Sequence, residues 1–61
     1  MIIKFNVYWA DDKCQLIIYR QMQHGEIRRD FAGETIEEAV SLAAKWLGID
    51  SDELYKKIME D

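Results

Sequence analysis

The stretch GETIEEAVSLAAKWLG, residues 33–48, predicts a helix whose two ends are both encoded. Thr35 can cap its N-terminus, and Glu38 three residues later can complete a capping box. Gly48 can take the left-handed conformation that ends a helix. The apolar side chains spread over roughly 200° of the circumference, and they are Ile36, Ala39, Val40, Leu42, Ala43, Ala44, Trp46 and Leu47. Because a helix with one contact shows a stripe of about 100°, we expect this helix to be covered from two sides.

The residues ahead of this helix predict a three-stranded antiparallel meander. Residues 2–10 alternate between apolar and polar side chains, which is the pattern of a half-buried strand. Two-residue turns at 11–12 and 24–25 lead into a second strand over about 13–23 and a third over about 26–32. The core-facing side chains of the first strand are expected to be Ile3, Phe5, Val7 and Trp9.

The two turns fix the register of the strands, and the register decides which face each side chain takes. A turn at 11–12 pairs Trp9 with Cys14 and Phe5 with Ile18. A turn at 24–25 pairs Ile18 with Phe31. These pairs fall on one face, so we expect Phe5, Ile18 and Phe31 to form a row under the helix.

The same register sets Arg20 opposite Arg29 on the helix-facing side. Like charges directly opposite each other are unfavourable unless they are paired. One interpretation is that both side chains extend to helix acids such as Glu34 or Glu37. The other is an anion site made by the two guanidinium groups.

A shorter second helix is expected over about 51–59, capped by Asp50 or Ser51. At about ten residues it is marginal alone and must gain stability from the first helix. Its apolar side chains are Leu54, Tyr55, Ile58 and Met59. The sequence therefore predicts a single α+β domain over residues 1–61, with both C-terminal helices on one face of the meander (βββαα).

The net charge is −4, and it is unevenly distributed: residues 1–32 carry +1 and residues 33–61 carry −5. The acidic half should repel phosphate and attract basic surfaces. A single cysteine, no signal-peptide pattern and no run of about 20 apolar residues favour a cytoplasmic location. A homodimer would help so short a chain to bury enough surface for stable folding.

The chain offers little that indicates catalysis. His24 precedes a glycine, so we expect it to lie in a turn. We expect Cys14 to be a small core side chain without a cationic neighbour. The acidic run at 50–53 lacks the glycine and the ligand spacing of a calcium loop. We therefore expect no catalytic, metal or cofactor site.

Two local patterns resemble known families. Residues 43–49, AAKWLGI, followed by Leu54 and Ile58, resemble the helix-turn-helix of Fis-type DNA-binding proteins, in which the residues that open the second helix contact DNA. Here the corresponding residues are Asp50, Ser51, Asp52 and Glu53, and the three acids among them would face phosphates. Residues 33–39, GETIEEA, are similar to the strand-to-helix junction of HicB-type antitoxins, which bind a small toxin and often carry a DNA-binding tail.

These observations favour a non-enzymatic protein-binding module, a small regulator or inhibitor of another protein. It would use two surfaces, an open sheet face and an acidic helical end, and the residues expected there are Tyr8, Ile17, Tyr19, Arg28, Glu37, Glu38, Asp52 and Glu53. The alternative is a nucleic-acid-binding regulator of the helix-turn-helix or antitoxin type. A structural subunit that self-associates through Tyr8 and Tyr19 is a third hypothesis.

Overall fold

The computed structural model describes residues 3–60 and shows the expected order of elements. The strands form one antiparallel sheet in the order β1-β2-β3, which confirms the βββαα prediction. The elements are β1 (Ile3–Ala10), β2 (Lys13–Met22), β3 (Gly25–Gly33), α1 (Ile36–Leu47) and α2 (Ser51–Glu60). The predicted first strand also included Ile2, which lies outside the described residues.

The β1–β2 hairpin has the predicted register. Trp9 pairs with Cys14 and Phe5 pairs with Ile18. The loop consists of Asp11 and Asp12, with φ angles of 54° and 60°. Positive φ at both central residues is the mark of a type I′ turn, whose twist matches that of the flanking strands.

The β2–β3 turn differs from the prediction. The loop consists of Gln23 and His24, and Met22 pairs with Gly25, so the assignment of the turn to residues 24–25 is wrong. Gly25 does have a positive φ of 139°, but it uses this freedom as the first residue of β3. Moving the loop by one residue shifts each partner on β3 by two positions, so every side chain keeps its face.

The corrected register changes the rows beneath the helices. Phe31 lies opposite Leu16 rather than Ile18, and Ile18 lies opposite Arg29. Arg20 lies opposite Ile27, so the expected direct Arg20–Arg29 pair is not formed. The like-charge contact that the earlier register implied is thereby avoided.

The caps of both helices follow the sequence. The Thr35 hydroxyl accepts a hydrogen bond from the Glu38 N–H at 3.2 Å, and Glu38 Oε2 accepts one from the Glu34 N–H at 2.8 Å. Glu38 thus reaches one residue beyond the partner expected for a capping box. Gly48 ends α1 with φ 74°, and Asp50 Oδ1 accepts a hydrogen bond at 3.1 Å from the Asp52 N–H that opens α2.

The core lies between the helices and one face of the sheet. Phe5 and Phe31 are half-buried and pack against it, as predicted. Its buried side chains come from β2 and both helices: Cys14, Leu16, Ile18, Ala39, Val40, Ala43, Ala44, Leu47, Leu54 and Ile58.

Several residues that were predicted to face the core are exposed. Viewed down the axis of α1, the buried side chains cover an arc of roughly 140°, bounded by Ala39 on one side and Ala44 on the other, rather than the expected 200°. Leu42 lies outside this arc and is 50% exposed. Trp9 is 63% exposed, because α1 packs on β2 and β3 and leaves that end of β1 uncovered. Met59 of α2 is also exposed.

The far end of the β2–β3 hairpin extends past the helices. A ten-residue strand spans about 33 Å, whereas a twelve-residue helix spans about 18 Å. Since α1 begins just after β3 and runs back along it, the helix ends before the hairpin tip. Met22 and Ile27 lie on the helix-facing side of the sheet at this end, and both are exposed.

Candidate interaction surfaces

The sheet face opposite the helices, which we call the open face, carries the aromatic and charged residues predicted from the strand alternation. The register places Tyr19 between Lys4 on β1 and Arg28 on β3. Tyr8 lies on the same face of β1 and is 43% exposed. These side chains are therefore presented together on the side of the sheet that no helix covers.

Ile17 lies at the centre of the open face and is only 6% exposed. It does not belong to the core cluster between the sheet and the helices. Its direct cross-strand neighbours are Asn6 and Asp30, so the side chains of the open face itself must cover it. Ile17 thus lies beneath the exposed side chains of the open face and presents little surface of its own.

Arg28 and Asp30 form a bidentate pair on the open face. Arg28 Nε donates to Asp30 Oδ1 at 3.1 Å, and Arg28 Nη2 donates to Oδ2 at 3.3 Å. The hydrogen bonds and the charge of Asp30 raise the pKa of Arg28. The pair orients the guanidinium group and compensates much of its charge locally.

The four acids predicted to form one helical surface fall into separate places. Glu37 and Asp52 line a cleft of about 240 Å³ between α1 and α2, which we call the acidic cleft. Its other walls come from Val40, Ser51 and Tyr55. Glu38 lies instead beside Ser41 and Leu42, and Glu53 lines a different cleft with Ile3, Ile49 and Lys57.

The structure gives Arg29 a partner that the sequence did not suggest. Its guanidinium carbon lies 5.6 Å from the centroid of the Trp46 ring. The expected ion pairs to Glu34 or Glu37 are not formed, since Arg28–Asp30 is the one salt bridge found among residues 3–60. The hypothesis of an anion site required Arg20 and Arg29 to lie directly opposite each other, and the register does not place them so.

Cys14, His24 and the acidic residues are the side chains that could take part in catalysis or metal binding. Cys14 is fully buried, and burial first and the charge of Glu37 second raise the pKa of its thiol. His24 is exposed in the β2–β3 turn. Within residues 3–60, no three His, Cys, Asp or Glu side chains are grouped so that they could hold a metal ion.

Sequence reasoning did not predict the shape of the β1 edge. It assigned Trp9 to the core, whereas Trp9 protrudes at one end of β1. At the other end, Ile3 helps to form a cleft of about 270 Å³ with Ile49, Glu53 and Lys57. The even alternation of β1 marks its two faces but does not show how far the helices reach across them.

No family model matches the chain, and no curated protein or solved structure is similar to it at a significant level. Across the part of the chain that the structure describes, neither helix is long and apolar enough to cross a membrane. The surfaces themselves are therefore the basis for a functional proposal.

Proposed function

We propose that the chain is a small, non-enzymatic protein-binding module that regulates or inhibits another protein through its open face. The observation that carries this proposal is the grouping of Tyr8, Tyr19 and Arg28 on the side of the sheet that the helices leave uncovered. Tyrosine and arginine are enriched at the centres of protein interfaces, where they combine apolar contact area with polar groups.

Contacts within the chain itself hold two side chains of the open face. Ile17 is buried beneath the exposed side chains, and Asp30 holds the guanidinium group of Arg28 through two hydrogen bonds. Ordering flexible side chains on binding costs about 0.5–1.5 kcal/mol for each one. Because Ile17 and Arg28 are already fixed by contacts within the chain, the open face should lose less binding free energy to the ordering of side chains.

The acidic cleft is the second proposed contact. Glu37 and Asp52 place two carboxylates beside the half-buried ring of Tyr55. A lysine or arginine of a partner could approach both charges while its aliphatic stem packs on the ring. We assign Glu38 and Glu53 no shared role in this contact, because they line other parts of the surface.

Nucleic-acid binding is the alternative, and the structure offers it less support. The charge of Arg28 is compensated by Asp30 on the same face. At the helical corner, Asp50 and Asp52 form the start of α2, where a DNA-binding helix would approach phosphates. Because phosphate neutralisation supplies most non-specific affinity, carboxylates at these positions oppose it.

Affinity purification from a native lysate with matched variants tests the proposal. Arg28→Glu reverses one charge on the open face, and Lys45→Glu makes the same charge change on an exposed position of α1. We expect one protein to co-purify in stoichiometric amount with the wild type and with Lys45→Glu, and to be lost with Arg28→Glu. Equal retention by both variants would remove the open face from the interaction.

A titration with duplex DNA and with single-stranded RNA, at low and moderate salt, separates the two candidate functions. The protein-binding proposal expects no binding that falls steeply with salt. Tight, salt-sensitive binding that Arg28→Glu weakens and Lys45→Glu leaves unchanged would overturn it in favour of a nucleic-acid regulator.

A further inference from the structure

The free edge of β1 presents a complete row of backbone hydrogen-bonding groups. In a two-residue type I′ hairpin, the residues that flank the loop form a hydrogen-bonded pair, here Ala10 and Lys13. Hydrogen-bonded and non-hydrogen-bonded pairs then alternate along the strands. The backbone groups that point away from β2 therefore belong to Ile3, Phe5, Val7 and Trp9, and they amount to four N–H and four C=O groups.

β1 has few of the features that protect an edge strand, whereas β3 carries several charged side chains. The chain contains no proline, and β1 pairs with β2 through eight consecutive positions without a bulge. Lys4 is its one charged residue. The exposed edge strand β3 instead carries four charged side chains, which discourage strand addition: Glu26, Arg28, Arg29 and Asp30.

The two ends of β1 differ in shape on the helix-facing side. Trp9 protrudes at one end and is 63% exposed. At the other end Ile3 is half-buried and lines a cleft of about 270 Å³ together with Ile49, Glu53 and Lys57. A two-fold axis between two antiparallel β1 strands would bring the protruding end of one strand against the recessed end of the other.

We propose that a second copy of this chain binds along β1 in antiparallel orientation, centred on Asn6, to form a continuous six-stranded sheet. In this register Ile3 lies opposite Trp9 of the second copy, and Phe5 lies opposite its Val7. All eight outward backbone groups of each strand are then paired. If the contact were centred on Val7, Ile3 would lie opposite Asp11 of the second copy, which belongs to the turn and not to β1. The register centred on Asn6 is therefore the one that pairs the whole edge.

The side chains are compatible with this register. Trp9 enters the cleft beside the second copy's Ile3, where the ammonium group of Lys57 can approach the indole ring. On the open face, Lys4 lies opposite Tyr8 and Asn6 lies opposite its own counterpart. No like charges meet across the two-fold axis. The open faces of the two copies remain uncovered, so this inference does not depend on the proposed function.

Sedimentation or light scattering over a range of concentrations tests the contact. We expect the wild type to be a dimer, Trp9→Lys to be a monomer at the same concentrations, and Leu42→Lys to remain a dimer. Leu42 is a matched control because it is also a large hydrophobic side chain, 50% exposed, and it lies on α1 away from the β1 edge. Both substituted residues are exposed, so neither variant should lose its fold.

The register has a separate test. Facing residues of a non-hydrogen-bonded antiparallel pair have Cα atoms about 4.5 Å apart, which lies within the range that a disulfide spans. We expect Asn6→Cys to form a covalent dimer under mild oxidation, and Gln21→Cys, another exposed position of the open face, not to do so.

A monomer at every concentration, a dimer that survives Trp9→Lys, or cross-linking at Gln21→Cys alone would overturn the proposal. A dimer abolished by Tyr19→Lys and not by Trp9→Lys would place the contact on the open face instead.

Discussion

The guanidinium carbon of Arg29 lies 5.6 Å from the centroid of the Trp46 ring, which joins the edge strand β3 to the last turn of α1. Phe31, two residues further along β3, contacts the same ring at a centroid distance of 5.8 Å. A charged residue on the helix-facing side of the sheet is thereby accommodated without an acidic partner. The Trp46 side chain is half-buried and packs against the core, whereas Arg29 is exposed.

Arg29→Ala should destabilise the chain through the loss of this cation–π contact. An exposed contact of this kind contributes about 0.5–1 kcal/mol. A double-mutant cycle with Trp46→Leu, measured by urea unfolding, should give a coupling energy in that range. A coupling near zero would show that the two side chains are neighbours without an energetic link.

Gly33→Ala should be more damaging, because α1 passes close to this residue. A Cβ atom at Gly33 would lie 2.7 Å from the Cβ of Glu38 and 2.8 Å from the N of Ala39. Both contacts are too short, so the strand or the first turn of the helix must shift, and overpacking of this kind costs about 1–3 kcal/mol. Ala32→Ser, at the exposed neighbouring position, is the control and should leave the thermal midpoint nearly unchanged.

Leu54→Ala tests whether α2 is an integral part of the core. Leu54 is fully buried, and truncating a buried leucine costs about 2–5 kcal/mol. Met59→Ala shortens an exposed side chain of the same helix and should cost far less. Similar unfolding midpoints for the two variants would mean that α2 contributes little to the stability of the domain.

The local features of this fold could be predicted because their causes lie within a few residues. Thr35 and Gly48 mark the ends of α1 through caps that depend on adjacent residues alone. The Asp11–Asp12 turn fixes the β1–β2 register in the same way. The second turn was misplaced because Gly25 can serve either in a loop or at the start of a strand, and a dipeptide pattern does not distinguish these roles.

The candidate surfaces show the same division. Alternation alone placed Tyr8 and Tyr19 on the open face, since strand periodicity fixes the face of every residue. The separation of Glu37 from Glu38 and the exposure of Trp9 depend instead on how α1 lies across the sheet. That crossing is set by the packing of many side chains, so it could not be read from any one segment.

Cys14 should make the stability of the chain fall at alkaline pH. Burial raises the pKa of its thiol above the ordinary value of 9.0, so the folded state retains a proton that the unfolded state releases. Stability from this group is therefore complete below the unfolded pKa and is lost as the pH rises toward the folded pKa, by up to about 1.4 kcal/mol per pH unit.

Cys14→Ala removes the effect, although it also lowers stability at neutral pH through lost packing. We expect urea unfolding of the two proteins between pH 7 and 10 to show a stability difference that is constant at first and narrows above pH 9. A difference that stays constant across the whole range would show that the thiol ionises as readily in the folded state as in the unfolded one.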